Sequence, residues 1–119
     1  MRNEMRKSNK QIEDTAVEAV LAYELRHGRR AKDVRQDSEA EGYDVLSEGR
    51  SIEVKGTQGN RVRQQLCISS EAERNHLQSG GWLYRVTGVG SRHPEVHEIA
   101  GHTLRFVPEK RWRVTRKKK

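Results

Sequence analysis

Asp44 and the triplet Glu53-Val54-Lys55 are the residues of this chain best suited to chemistry, and their spacing is the reason. They lie on two short alternating runs, Tyr43 to Ser47 and Arg50 to Lys55, separated only by Glu48-Gly49. An X-Gly pair between such runs predicts a tight hairpin loop, because glycine accepts the positive φ of the turn. Ser47 then pairs with Arg50, Leu46 with Ser51, Val45 with Ile52, and Asp44 with Glu53. Paired residues project to one face with Cβ atoms about 5 Å apart. Tyr43, Val45, Ile52 and Val54 are therefore expected on an apolar face, and Asp44, Glu53 and Lys55 on the other. Facing carboxylates destabilise a hairpin unless positive charge lies between them. A divalent cation meets that need, and the adjacent ammonium suits an anionic substrate. The pattern predicts a metal-dependent phosphodiester site; the bland alternative is the ordinary charged face of a half-exposed strand.

The elements that must position these residues are also legible. Ser8 and Gln11 form a capping box, after which Ile12, Ala16, Ala19, Val20, Tyr23 and His27 recur at helical spacing up to Gly28. A short candidate strand around Lys32 to Val34 precedes the hairpin. Val62 to Ser69 alternates as a third strand, with Leu66 and Ile68 toward the core and Cys67 a buried, inert thiol. Ser70 to Glu73 reads as a second capping box, opening a helix that stops at Gly80-Gly81. Trp82 to Val89 is a strong strand with Trp82 and Tyr84 in the core, followed by short runs at Val96 to Ile99 and Leu104 to Val107. The order α-β-β-β-α-β predicts an α/β fold: one small domain over residues 1–109, a mixed sheet flanked by helices. A basic tail follows at 110–119.

Composition narrows the function classes. The chain has 119 residues and a net charge of +7. The tail alone supplies that excess: outside residues 110–119, 17 basic residues balance 17 acidic ones. Lys110, Arg111, Arg113 and Arg116 suit phosphate contacts, with Trp112 placed to stack on bases of a single strand; a solvated end is the alternative. Arg61 and Arg63 are further candidate phosphate contacts. No run approaches the ~20 apolar residues of a membrane span, and no hydrophobic stretch follows the first basic residues, so no membrane association and a cytoplasmic location are expected. A single cysteine excludes an internal disulfide and a thiolate-rich zinc site. The five histidines form no compact ligand pattern.

Asp44 followed by Glu53-Val54-Lys55 has the D…ExK form of the PD-(D/E)XK nuclease superfamily, and the element order resembles its restriction endonuclease-like core. Gly42 to Ser47 with Ile52 to Thr57 is similar, more specifically, to the domain at the carboxyl end of the plant NO VEIN protein. Asn9 to Ile12, Val20 to Glu24, Ser69 to Glu71 and Leu83 to Val86 extend the likeness. The resemblance implies that Asp44 and Glu53, helped by the Val54 backbone carbonyl, bind Mg2+ or Mn2+. Lys55 would orient the attacking water or neutralise transition-state charge. A fourth acid often comes from the first helix of such proteins; the resemblance points to Glu18, whereas the helical wheel favours Glu24. The implied function is a Mg-dependent endonuclease acting on DNA in a defence, restriction or repair setting, as a homodimer or within a larger assembly. The alternative is an inactive nucleic-acid-binding or protein-interaction module that keeps the fold.

Overall fold

A reciprocal capping box starts the first helix, α1 (Asn9–Arg26). Gln11 N donates to Ser8 Oγ at 3.2 Å, and Ser8 N donates to Gln11 Oε1 at 2.8 Å. Two of the donors that a helix start leaves unpaired are thereby satisfied. The structure is a computed structural model and describes residues 7–63 and 66–109. After α1 come β1 (Ala31–Asp33), β2 (Val45–Ser47), β3 (Arg50–Gly56), α2 (Glu71–Gln78), β4 (Trp82–Thr87), β5 (Glu95–Ala100) and a 3-10 turn at Gly101–Thr103.

The five strands form one mixed sheet in the order β1-β2-β3-β4-β5, antiparallel throughout except for the parallel pair β3–β4. A parallel pair needs a crossover connection, and the segment carrying α2 supplies it. The β2–β3 hairpin has the predicted register: Val45 opposite Ile52, Leu46 opposite Ser51, Ser47 opposite Arg50. Gly49, at φ 78°, makes the turn.

Strand alternation divides the sheet into two unlike faces. On one, Val45, Ile52, Val54, Tyr84 and Val86 pack with Ala16, Val17 and Val20 of α1; each such aliphatic buried contributes about 1.5–3 kcal/mol. Gly56 lets α1 lie close, since a Cβ there would stand 2.8 Å from Ala16 Cβ. On the other face, Ser51, Glu53 and Lys55 of β3 and Leu83 and Arg85 of β4 point toward α2, where Leu77 and Leu83 are buried. This polar face carries the candidate site.

Several expectations fail here. The described part of Val62 to Ser69 is a turn at Val62-Arg63 and irregular chain from Leu66 onward, not a strand. Leu66 and Ile68 are only half-buried, and Cys67 is exposed rather than a core thiol. None of its described residues joins the sheet, whereas the polar Ala31-Lys32-Asp33 pairs with β2 and becomes the third antiparallel strand. The expected element order survives with a different member. Leu104 to Val107 is also irregular, and β4 stops at Thr87, before Gly88 at φ 64°. No described helix is long and apolar enough to cross a membrane.

Candidate functional site

Asp44 is delivered by a departure from the ladder. The β2–β3 pairing ends at Val45–Ile52, and the Asp44 N–H donates to Ile52 O at 2.8 Å while its own carbonyl accepts from Val34 N at 2.9 Å. Asp44 is therefore not the ladder partner of Glu53 that the hairpin pattern predicts. Its side chain nevertheless reaches β3: Val54 N donates to Asp44 Oδ2 at 2.9 Å. Gly42 sets the approach. Its φ is 83°, and a Cβ there would lie 2.3 Å from Ala72 O in α2, so only glycine lets this loop pass. Tyr43 leaves the apolar face on which it was expected and stacks on His76 of α2, with ring centroids 5.0 Å apart. Its position beyond the end of the ladder frees it from strand alternation. His76 Nε2 is in turn 2.8 Å from Ser51 Oγ and 3.1 Å from Ser51 O, which ties α2 to β3.

Glu53 is 2 % exposed. Burial, and then hydrogen bonding to the Asp44 and Glu73 carboxyls, pushes its acid up to about 11 despite the nearby Lys55. Lys55 Nζ sits 3.3 Å from Glu53 Oε2 and 3.1 Å from Glu73 Oε1. Burial disfavours the Lys55 charge, but the Glu53 and Glu73 carboxyls outweigh it and hold the ammonium above its ordinary pKa. Burial acts upward on Glu73 too; hydrogen bonds to Glu53 and the Ser69 backbone, with Lys55 beside it, bring it below the ordinary carboxylate range. Without a cation, one proton stays on Glu53 while Lys55 remains charged.

Glu73 is the member of the site that the sequence pattern hid. Ser70 does cap α2, with Glu73 N donating to its Oγ at 3.2 Å. The return half of the box does not form: the Glu73 carboxylate accepts from Ser69 N at 3.0 Å and Ser69 Oγ at 3.1 Å instead, which aims it at Lys55. The Ser-x-x-Glu spacing was the only available signal, and it read as a cap.

The two acids expected from α1 lie elsewhere. Glu18 is exposed. Glu24 does face the sheet, but on the apolar side, away from Asp44 and Glu53. It is fully buried and bound by Arg29 Nε and Nη2 at 2.7 Å each, Ser47 Oγ at 2.8 Å and Tyr84 OH at 2.8 Å. With four donors it has no capacity left for a cation, so neither acid completes the site. Arg61 and Arg63 are exposed and flank Val62, whose carbonyl accepts from Arg85 Nε at 2.9 Å. Arg85 is the β4 register partner of Lys55, so this bond holds the loop at the edge of the polar face. Lys110, Arg111, Trp112, Arg113 and Arg116 lie outside the described residues. Glu71 is an exposed first-turn acid, 3.7 Å from Arg74, as helix-dipole electrostatics favour.

The donors at the site are hard oxygens, the chemistry that suits Mg2+ or Mn2+ rather than a thiophilic metal. Among the described residues no three histidine, cysteine, aspartate or glutamate side chains form a ready ligand set; Glu73 is occupied by Ser69 and Lys55. The residues that fit are Asp44 and Glu53 with the Val54 carbonyl. Two carboxylates suffice for Mg2+, which keeps several of its waters. The buried Glu53 carboxyl, hydrogen-bonded to Asp44, is a physical reason for a cation to be favoured there.

The family model described as "Protein NO VEIN, C-terminal" matches residues 12–99. Neither the curated proteins nor the solved structures contain a match.

Proposed function

The chain belongs to the NO VEIN C-terminal family, and we propose that it is a divalent-metal-dependent nuclease of the PD-(D/E)XK kind. It hydrolyses phosphodiester bonds of DNA in a defence, restriction or repair setting. The observation that carries this reading is the convergence of Asp44, Glu53 and Lys55 on one polar sheet face, with Lys55 held 3.1 Å from Glu73. Three antiparallel strands after a helix, then a second helix and a parallel strand, support the likeness to a restriction endonuclease-like core.

A bound Mg2+ would supply electrophilic activation of the scissile phosphate and of a water nucleophile. The chain supplies the positioning. The Val54 N–H fixes the Asp44 carboxylate, and the buried walls around Glu53 hold its oxygens toward it. Lys55 presents a compact ammonium that can donate to a phosphate oxygen, or to the attacking water, as negative charge builds in the transition state. A phosphate oxygen entering there competes with Glu73 for the same N–H donors. Water oxygen bonds to phosphorus, the ester P–O bond breaks, and the leaving oxygen takes a proton.

The test is calorimetric titration of Mg2+ and Mn2+ into the wild type and Glu53→Gln, paired with DNA cleavage by the wild type, Asp44→Ala and Lys55→Ala. Saturable binding lost in Glu53→Gln, with cleavage lost in the other two variants, is the expected result. Absence of cleavage across DNA and RNA substrates with both metals would overturn catalysis.

The ion pair that holds Lys55 also favours a second reading. An ammonium already paired with the Glu73 carboxylate suits a module that keeps the nuclease fold but only binds nucleic acid or a protein partner. That reading expects affinity for DNA that falls with salt and is indifferent to Mg2+.

A further inference from the structure

The three segments that carry the site acids also build a neighbouring cleft. Glu41 precedes Asp44 on the same loop, Ser51 precedes Glu53 on the same face of β3, and Ala72 precedes Glu73 in α2. Together with Asn75, His76 and the Ser79–Gly81 turn they line a cleft of about 350 Å³. Gly42 packed on Ala72 and the Tyr43–His76 stack join its walls to the arm that bears Asp44. The cleft therefore opens beside the carboxyl cluster, at the size expected of a small-molecule or nucleotide pocket.

Its lining has a definite chemical character. No lysine or arginine is present, the one carboxylate is Glu41, and Asn75 adds an amide. Both side chains are exposed, and neither forms an ion pair or side-chain hydrogen bond with another described residue. The Ser51 hydroxyl is engaged by His76. A phosphate is repelled from such a cleft and drawn to Lys55, whereas a group that presents N–H donors is accepted.

We propose that this cleft receives an unpaired nucleobase next to the phosphate held at Lys55, and that it selects guanine. The guanine edge offers N1–H and N2–H side by side, which matches the two oxygens of Glu41, and its O6 accepts from the Asn75 amide. Thymine offers one imino hydrogen, flanked by carbonyls that Glu41 repels. A base reaches the cleft only when out of its pair, so the substrate is single-stranded, or a nucleotide extruded from a duplex. The inference rests on the nuclease reading for the position of the phosphate.

Fluorescence anisotropy with the full chain tests it, using labelled oligothymidines that carry one central guanine, adenine or cytosine, and a blunt duplex, with Ca2+ in place of Mg2+. The expected result is about tenfold tighter binding of the guanine strand than of oligothymidine, on the order of one well-made base contact. Glu41→Gln should remove most of that preference and Asn75→Ala several-fold of it, with folding checked by circular dichroism. Equal affinities for all strands, duplex binding tighter than single-strand binding, or a guanine preference that survives both variants would overturn the proposal. Cleavage without base preference defeats the cleft alone. Absence of Mg2+ binding defeats the nuclease reading, while guanine discrimination that responds to Glu41→Gln would still uphold the cleft.

Discussion

Lys55 Nζ lies 3.1 Å from Glu73 Oε1, an ion pair that ties β3 to the first turn of α2. Because both groups are largely withdrawn from water, the pair is less screened than a surface bridge. Glu73 is one of the causes that keep Lys55 above its ordinary pKa. Glu73→Gln should lower the Lys55 pKa, read as an earlier Cε shift in an NMR pH titration. An unchanged titration would show that Lys55 is held by Glu53 alone.

The acid of Glu53, up at about 11, predicts how stability varies with alkali. The folded chain keeps a proton that the unfolded chain releases near the usual glutamate value, so folding binds more protons than unfolding between those limits. This contribution is complete below about pH 4.5 and is lost progressively as pH rises toward 11. Urea denaturation from pH 5 to 9 should show stability falling with pH in the wild type, with a smaller slope in Glu53→Gln. Added Mg2+ should stabilise the wild type more at the alkaline end, where its competition with the proton is weaker.

Glu24 predicts the opposite limb. Burial works against its charge, but Arg29, Ser47 and Tyr84 prevail and lower it to about 2. Its contribution is present above pH 4.5 and is lost as pH falls toward 2. Glu24→Ala leaves Arg29 without its bidentate partner and should cost about 3–5 kcal/mol, the range for breaking a buried pair. Thermal unfolding measures this. Mg2+ binding by whatever remains folded should be unaffected, since Glu24 lies on the other face of the sheet; a lost titration would return it to the metal site.

What the sequence made legible follows from how local each signal is. The hairpin register came from alternation on both sides of Glu48-Gly49, and α1 from a capping box whose two bonds span three residues. Glu24 could be placed toward the sheet by the helical wheel, but its role could not, because Ser47 and Tyr84 complete its shell from 23 and 60 residues away. The strand expected at Val62 to Ser69 had the right pattern, yet its described residues pair with no strand, while Ala31 to Asp33 had little pattern and a partner. Glu73 joins Lys55 only through packing of α2 on the sheet, which no spacing within either element encodes.

Gly42 predicts a coupling between fold and site. Alanine there would have to adopt φ 83° and place its Cβ 2.3 Å from Ala72 O. Strain of this kind costs on the order of 1–3 kcal/mol, and the loop can relieve it only by retreating from α2. Gly42→Ala should therefore lower the thermal midpoint and also weaken Mg2+ affinity, because Asp44 retreats with the loop. Lost stability with intact Mg2+ affinity would show that the carboxylate is positioned by Val54 N alone.

Under the proposed function, Arg61 and Arg63 offer a test of where a nucleic acid would run. They flank Val62, which Arg85 Nε holds at 2.9 Å, so a loop of otherwise irregular chain presents two guanidinium groups at the edge of the face that bears Lys55. Each phosphate contact releases counterions, and removing one reduces the steepness of the log affinity against log salt plot by about 1. Arg61→Ala and Arg63→Ala should each do this, and should weaken binding evenly across sequences, because phosphate contacts carry no base information. Arg85→Met keeps both arginines but removes the bond that fixes their loop. It should reproduce much of the loss of affinity seen in Arg61→Ala and Arg63→Ala if anchoring matters. Salt plots that stay parallel to the wild type in both single variants would move the nucleic-acid path away from this loop, leaving Lys55 as the phosphate contact on that face.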